Sequence, residues 1–238
     1  EGIKEIFQTK QPVIIYPASG TGAWEAALVN TLSPGNLVLM YDTGHFASTW
    51  HKLAWKLGLD AQLLPGSWQE GVKPENIYLA GDSAGGNLVL ATLIRLRDLS
   101  IALPAAACCI SPWTDLSMSG ETIASKGHVD LLLTPELLRQ FASHYSAGVS
   151  AEQRGNSSAM SPLAADLTGL PPLLIQVGSE EILLDDSVRL AEHAKRDGVA
   201  VELQIWEKMQ HVWHYTFPML KDGRIAISEI AAFFDRNQ

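Results

Sequence analysis

Short apolar runs alternate with longer stretches of helical periodicity along most of this chain, and turn residues separate them. Six runs read as strands: residues 12–17, 36–41, 76–80, 105–111, 172–178 and 201–207. They are short, rich in Val, Ile, Leu and Ala, and bounded by Gly, Pro, Asn or Ser, as buried strands are. Residues 23–32, 49–57, 87–99, 134–145, 185–197 and 223–234 carry apolar positions at helical spacing. Alternation of this kind predicts an α/β fold, a mostly parallel sheet with helices on both faces. Residues 117–161 break the rhythm. Gly, Ser, Asn and Gln interrupt a single helical stretch there, which reads as an insertion covering a site or as a long solvated connection.

The most informative chemistry lies where one strand passes into a helix. Asn76-Ile77-Tyr78-Leu79-Ala80 runs straight into Gly81-Asp82-Ser83-Ala84-Gly85-Gly86, and an apolar helical pattern begins at Asn87. A G-x-S-x-G placed between strand and helix is the setting of a nucleophile elbow. A Cβ at position 81 or 85 is expected to collide with the neighbouring strand or helix, so both positions call for glycine. The turn then holds Ser83 in a strained conformation, hydroxyl outward, above a helix N-terminus. The plainer reading is an ordinary tight turn.

A serine hydroxyl needs an imidazole to take its proton, and the imidazole needs a carboxylate to fix its tautomer. Both residue types follow in the order serine, acid, histidine. The run 172–178 ends in Ser179-Glu180-Glu181-Ile182-Leu183-Leu184-Asp185-Asp186, where open α/β sheets carry their sites. The run 201–207 ends in Lys208-Met209-Gln210-His211-Val212-Trp213-His214. Asp185 and Asp186 suit the first turn of the next helix, and Glu180 suits solvent. His211 is nearer the strand end than His214, which reads as a packing or rim histidine. Asp82, Trp113 and Trp213 are the candidate pocket residues.

Composition narrows the partners. Of 238 residues, 47% are apolar and 18% charged, which fits a folded α/β domain. A net charge of −9 without a Lys/Arg cluster argues against nucleic acid and anionic membranes. No apolar run approaches a membrane span. The only cysteines, Cys108 and Cys109, are adjacent in an apolar run. On a strand they point to opposite faces and read as buried packing thiols, which fits a reducing cytoplasm. Neither metal nor cofactor is expected.

Residues from about 73 to 235 resemble the hormone-sensitive-lipase-like family of bacterial esterases. The resemblance is carried by Gly81-Asp82-Ser83-Ala84-Gly85-Gly86, Ser111-Pro112-Trp113-Thr114-Asp115, Ser161-Pro162-Leu163, Leu170-Pro171-Pro172-Leu173-Leu174-Ile175, Gly178-Ser179-Glu180-Glu181 and His211-Val212-Trp213-His214. It implies an α/β-hydrolase-like fold with Ser83 as nucleophile, Glu181 as acid and His211 as base. Ile182-Leu183 falls at the family's Pro-Leu positions, with Asp185 as the second acid. The family also carries a His-Gly-Gly-Gly segment whose N–H groups form an oxyanion hole, and no His-Gly-Gly occurs here.

Residues 1 to about 72 instead resemble the start of a serine–glyoxylate aminotransferase, a fold-type-I enzyme using pyridoxal phosphate. The carrying residues are Phe7-Gln8-Thr9-Lys10, Pro17-Ala18-Ser19-Gly20-Thr21-Gly22-Ala23-Trp24-Glu25-Ala26-Ala27 and Thr43-Gly44-His45-Phe46-Ala47. The chain thus reads as a fusion, in which a borrowed strand–helix–strand segment (1–72) packs on a hydrolase portion (73–238) to complete one compact domain. The oxyanion hole is expected from the Ala84 N–H together with Gly20 and Gly22, unless that loop merely turns the chain. Two function classes follow. One is a cytoplasmic serine carboxylesterase acting on short-chain acyl esters, weakened by the missing segment and compatible with a homodimer. The other is a non-catalytic fusion, or a module holding a phosphate or pyridoxal phosphate at residues 19–22, with a relic triad.

Overall fold

The structure, a computed structural model, describes residues 25, 28, 29, 32–66, 69, 73, 74, 77–217 and 219–237. The chain divides into two compact units, Glu1–Val72 and Lys73–Gln238.

In the first unit, β1 (Leu37–Tyr41), α1 (His45–Lys56) and β2 (Asp60–Leu64) form a strand–helix–strand segment. The two strands are parallel, with Leu37 opposite Asp60 and Tyr41 opposite Leu64. Leu28, Ala54 and Leu59 are its buried core. The helix starts at His45, four residues ahead of the apolar periodicity. β2 escapes a reading for apolar runs because only alternate residues, Ala61 and Leu63, turn inward. The expected strand at 12–17 and most of the helix at 23–32 lie outside the described residues.

The second unit carries β3 (Tyr78–Asp82), α2 (Ala84–Asp98), β4 (Ala106–Ile110), α3 (Glu121–Ser125), α4 (Pro135–Tyr145) and α5 (Ala151–Gly155). Then come β5 (Leu173–Gly178), α6 (Leu184–Arg196), β6 (Val201–Trp206) and α7 (Lys221–Arg236). The strands form one sheet in the order β3-β4-β5-β6, every pair parallel. All six residues of β5 are buried, as a central parallel strand covered on both faces must be. On one face Ala107, Cys109, Leu173 and Ile175 pack against Leu90 and Leu93 of α2 and Leu190 of α6. On the other, Ala106, Cys108 and Leu174 meet Phe233 of α7. Each fully buried leucine contributes about 1.5–3 kcal/mol. The cysteines are free and buried on opposite faces. Burial pushes the Cys109 thiol up to about 12, so it packs rather than reacts.

Parallel strands bring their carboxyl ends to one edge, and the segment between β4 and β5 folds there as a packed body. Trp113, Leu116, Ile123, Leu133, Leu138 and Ala142 form one core with Ile182 and Leu183. Thr134 caps α4 by accepting from the Leu137 N–H at 3.2 Å, and Pro135 follows in the first turn. Ser161 Oγ accepts from Leu116 N–H and donates to the Arg154 carbonyl, pinning the return to the sheet.

Candidate active site

Ser83 occupies the turn between β3 and α2 at φ 54°, ψ −119°, a conformation costly for a residue with a side chain. Backbone hydrogen bonds hold it there. Its N–H donates to the Ile110 carbonyl, and its own carbonyl accepts from Trp113 N–H and Gly86 N–H. The close approach is enforced at Gly81, where a Cβ would lie 2.4 Å from the Gly85 carbonyl oxygen, and at Gly86, where it would lie 2.7 Å from Pro112 Cβ. The expectation for position 85 needs correction. A Cβ there meets nothing within 4 Å, because Gly85 faces open space and Gly86 takes the crowded position.

The Ala84 N–H opens α2, where no helical carbonyl can reach it, and among the described residues it has no hydrogen-bond partner at this positive end of the helix. Gly20 and Gly22, the other residues expected at the oxyanion hole, lie outside the described residues.

Glu181 follows β5 and is fully buried. A buried carboxylate must be satisfied, and this one is. Oε1 accepts from Gly178 N–H at 2.6 Å and Ser111 Oγ–H at 2.8 Å, while Oε2 lies 2.8 Å from His211 Nδ1. An ionised glutamate only accepts, so Nδ1 carries the proton and Nε2 presents its lone pair. Neither Nε2 nor the Ser83 hydroxyl makes a hydrogen bond among the described residues, and such bonds often form only with substrate bound. Gly178 is required by the same packing, since a Cβ there would lie 2.2 Å from the Met209 carbonyl on the loop that carries His211.

Ser111 was not singled out from the sequence, although it opens the Ser-Pro-Trp-Thr-Asp motif. At φ 44° it is strained, as is Val212 at φ 49°, directly after His211. Its hydroxyl oxygen accepts from Val212 N–H at 3.2 Å while donating to Glu181. One serine beside the elbow thus touches both Glu181 and the loop that carries His211.

The remaining acids and His214 are placed differently. Asp185 Oδ2 accepts from Glu121 N–H and pairs with Arg189. Asp186 is buried as a structural clamp, accepting from the Thr114 and Asp115 N–H groups at 2.9 Å each and from Arg189. His214 is buried, with Nε2 2.8 Å from Gln176 Oε1. Burial pulls its pKa down to about 4, the Asp82 carboxylate opposing the shift.

A cavity of about 400 Å³ opens at the elbow, lined by Ser83 and Ala84 together with Leu88, Trp113, Leu138 and Phe141 among others. Of the three expected pocket residues, Trp113 lines it. Asp82 accepts from Tyr215 OH at 2.9 Å, and Trp213 is buried between Trp206 and His214. A larger recess of about 610 Å³ runs along α6 beside Arg189, His193, Lys195 and Arg196, and no triad candidate lines it. Among the described residues no cluster of His, Cys, Asp or Glu could hold a metal ion, and no helix is long and apolar enough to cross a membrane.

This strand–elbow–helix geometry, with a serine, a carboxylate and a histidine following in that chain order, marks a known class. The chain belongs to the alpha/beta hydrolase fold family, whose model matches residues 44–215. It is 46% identical over 165 residues to an acetyl-hydrolase of Streptomyces hygroscopicus, covering 69% of this chain and 54% of that protein. It is similar to a solved esterase of the bacterial hormone-sensitive lipase family, at 33% identity and TM-score 0.68, covering 86% of this chain and 78% of that one. A serine–glyoxylate aminotransferase of Methylorubrum extorquens matches 78 residues at 44% identity, 32% of this chain and 19% of that enzyme. The chain spans about half the length of the acetyl-hydrolase it matches.

Proposed function

We propose that this chain is a serine carboxylesterase that hydrolyses short-chain acyl esters through an acyl-enzyme. The observation that carries the reading is the buried Glu181–His211 pair at neighbouring strand ends, combined with a strained Ser83 at the elbow. Names of relatives add to it: an acetyl-hydrolase and an esterase.

Ser83 Oγ attacks the ester carbonyl carbon while His211 Nε2 takes its proton. Glu181 Oε2 holds Nδ1–H and stabilises the imidazolium that forms. The carbonyl oxygen, now an anion, receives the Ala84 N–H. Collapse of the intermediate breaks the bond to the alcohol oxygen, which leaves with the proton from His211. Water then repeats the sequence on the acyl-enzyme and frees Ser83. The 400 Å³ cavity, bounded by Leu88, Leu138 and Phe141, suits a short aliphatic acyl chain.

A two-part origin is a separate proposal, supported by the aminotransferase likeness over about a third of this chain. That match spans 19% of the aminotransferase. Release of p-nitrophenol from its acetate ester tests the main reading. Turnover should be measurable in the native protein and absent in Ser83→Ala; equal rates in the two would end it.

A further inference from the structure

Between β4 and β5 the chain does more than line the cavity. The segment 129–133 leads directly into α4, which supplies the Leu138 and Phe141 walls. Hydrogen bonds through side chains tie this segment to the loops that carry Glu181 and His211. Asp130 is buried, and both its carboxylate oxygens accept backbone hydrogen bonds. Oδ1 accepts from Leu132 N–H at 2.9 Å and Leu133 N–H at 2.8 Å, and Oδ2 accepts from Ile182 N–H at 2.9 Å. Ile182 is the residue after Glu181. Its carbonyl is taken by Thr122 Oγ1–H at 2.8 Å, so both backbone groups beside the acid are held by insertion side chains.

The base loop is held in the same way. Gln210, immediately before His211, accepts from Leu131 N–H through Oε1 at 2.8 Å and donates from Nε2 to the Val129 carbonyl at 3.2 Å and to Glu180 Oε2 at 3.4 Å. One five-residue segment is therefore bonded to the residue after the acid and to the residue before the base. The loops also touch directly, through Glu180 N–H to the Met209 carbonyl at 3.0 Å, but that bond lies on the near side of Glu181. Without these residues Ile182 would lose the partners of both its backbone groups, and Gln210 would keep only its 3.4 Å bond to Glu180. Buried polar groups of this kind, each satisfied by one specific partner, fix geometry more than they add net stability.

Resting on the esterase reading, we propose that Asp130 and Gln210 are positioning residues that clip the acid and base loops to the pocket-wall segment, holding Glu181 and His211 in reacting register. Neither touches substrate in this account; each acts through the backbone of its neighbour. A geometry loosened by a fraction of an ångström is felt in the chemical step more than in binding.

Two substitutions separate positioning from plain structural support. Asp130→Asn can keep its carbonyl oxygen on Leu132 and Leu133, but its amide then faces the Ile182 N–H, donor against donor. Gln210→Met keeps the volume and removes both amide bonds to the segment. For each variant, kcat is measured per active site, counted by phosphonate titration, on p-nitrophenyl acetate and p-nitrophenyl hexanoate across pH 5–9. Both variants should lose at least tenfold in kcat on both esters, with KM for the acetate within twofold and a displaced acidic limb in the kcat–pH profile. Asp130→Glu should recover part of the loss, since a carboxylate again offers an acceptor to Ile182. A kcat per titrated site within twofold of native and an unmoved pH limb, in whichever variants fold, would overturn the clip while leaving the esterase reading intact. If native protein is inactive or Ser83→Ala retains its rate, the esterase reading fails, and the clip with it.

Discussion

Replacing Glu181 by glutamine changes one atom and should nearly abolish turnover. Oε1 accepts both Gly178 N–H and Ser111 Oγ–H, so the glutamine carbonyl oxygen will keep that side. Its NH2 group then falls where Oε2 was, 2.8 Å from His211 Nδ1. A donor there forces Nδ1 to present its lone pair and moves the proton to Nε2, the atom that must accept from Ser83. The base is blocked by its tautomer even though packing is unchanged. Wrong-tautomer substitutions of a triad carboxylate cost about four decades in kcat, or roughly 5–6 kcal/mol of transition-state stabilisation. Asp185→Asn is the control. Asp185 is half-buried, caps the Glu121 N–H and pairs with Arg189, and a partly exposed pair of this kind is worth under about 1 kcal/mol. Its effect on p-nitrophenyl acetate hydrolysis should stay below about fivefold. Equal losses in the two variants, or a greater loss in Asp185→Asn, would refute Glu181 as the acid.

Gly81→Ala should destabilise by at least about 1–3 kcal/mol in thermal or urea unfolding, because its Cβ would lie 2.4 Å from the Gly85 carbonyl oxygen. Gly85→Ala, with nothing within 4 Å of the new atom, should unfold close to native, and matching losses in the two would refute the packing account of the elbow. Acid should weaken the fold through His214. An unfolded histidine takes its proton near 6.5, while this one, held neutral by burial, takes it near 4. The unfolded chain therefore binds more protons in that window, and stability is lost as pH falls from about 6.5 toward 4. A His214→Gln variant should show a shallower loss in urea midpoint between pH 7 and pH 5, and an identical slope would refute the assignment.

How much of this could be read from the chain depended on how local each feature was. The elbow was legible because glycine spacing, a short apolar strand and a long apolar helix sit within about twenty residues of one another. The sequence even placed α4 well, since Thr134-Pro135 is a local start signal. β2 was missed because Asp60 and Gln62 leave only alternate inward positions in a five-residue strand. Crowding at Gly86 rather than Gly85 is equally non-local, because it depends on Pro112, further along the chain. Asp186 does stand in the first turn of α6, as its charge suggests, but its partners Thr114 and Asp115 lie 72 and 71 positions away and leave no local signal. Asp130 and Gln210 gave no signal at all, because an Asp before three leucines and a Gln before a histidine acquire meaning only from contacts spanning 52 and 79 residues. His211 and Glu181 stood out only because the strand ends and the family resemblance pointed at the same loops.

The central claim is that Ser83 is the nucleophile of an ester hydrolase, and covalent labelling tests it most directly. The protein is incubated with phenylmethylsulfonyl fluoride, digested, and its peptides weighed. The account predicts one sulfonyl group per chain on the peptide carrying Ser83, loss of p-nitrophenyl acetate hydrolysis in step with labelling, and much slower labelling in His211→Ala. A label on any other serine, or full ester hydrolysis with Ser83 unlabelled, would contradict it.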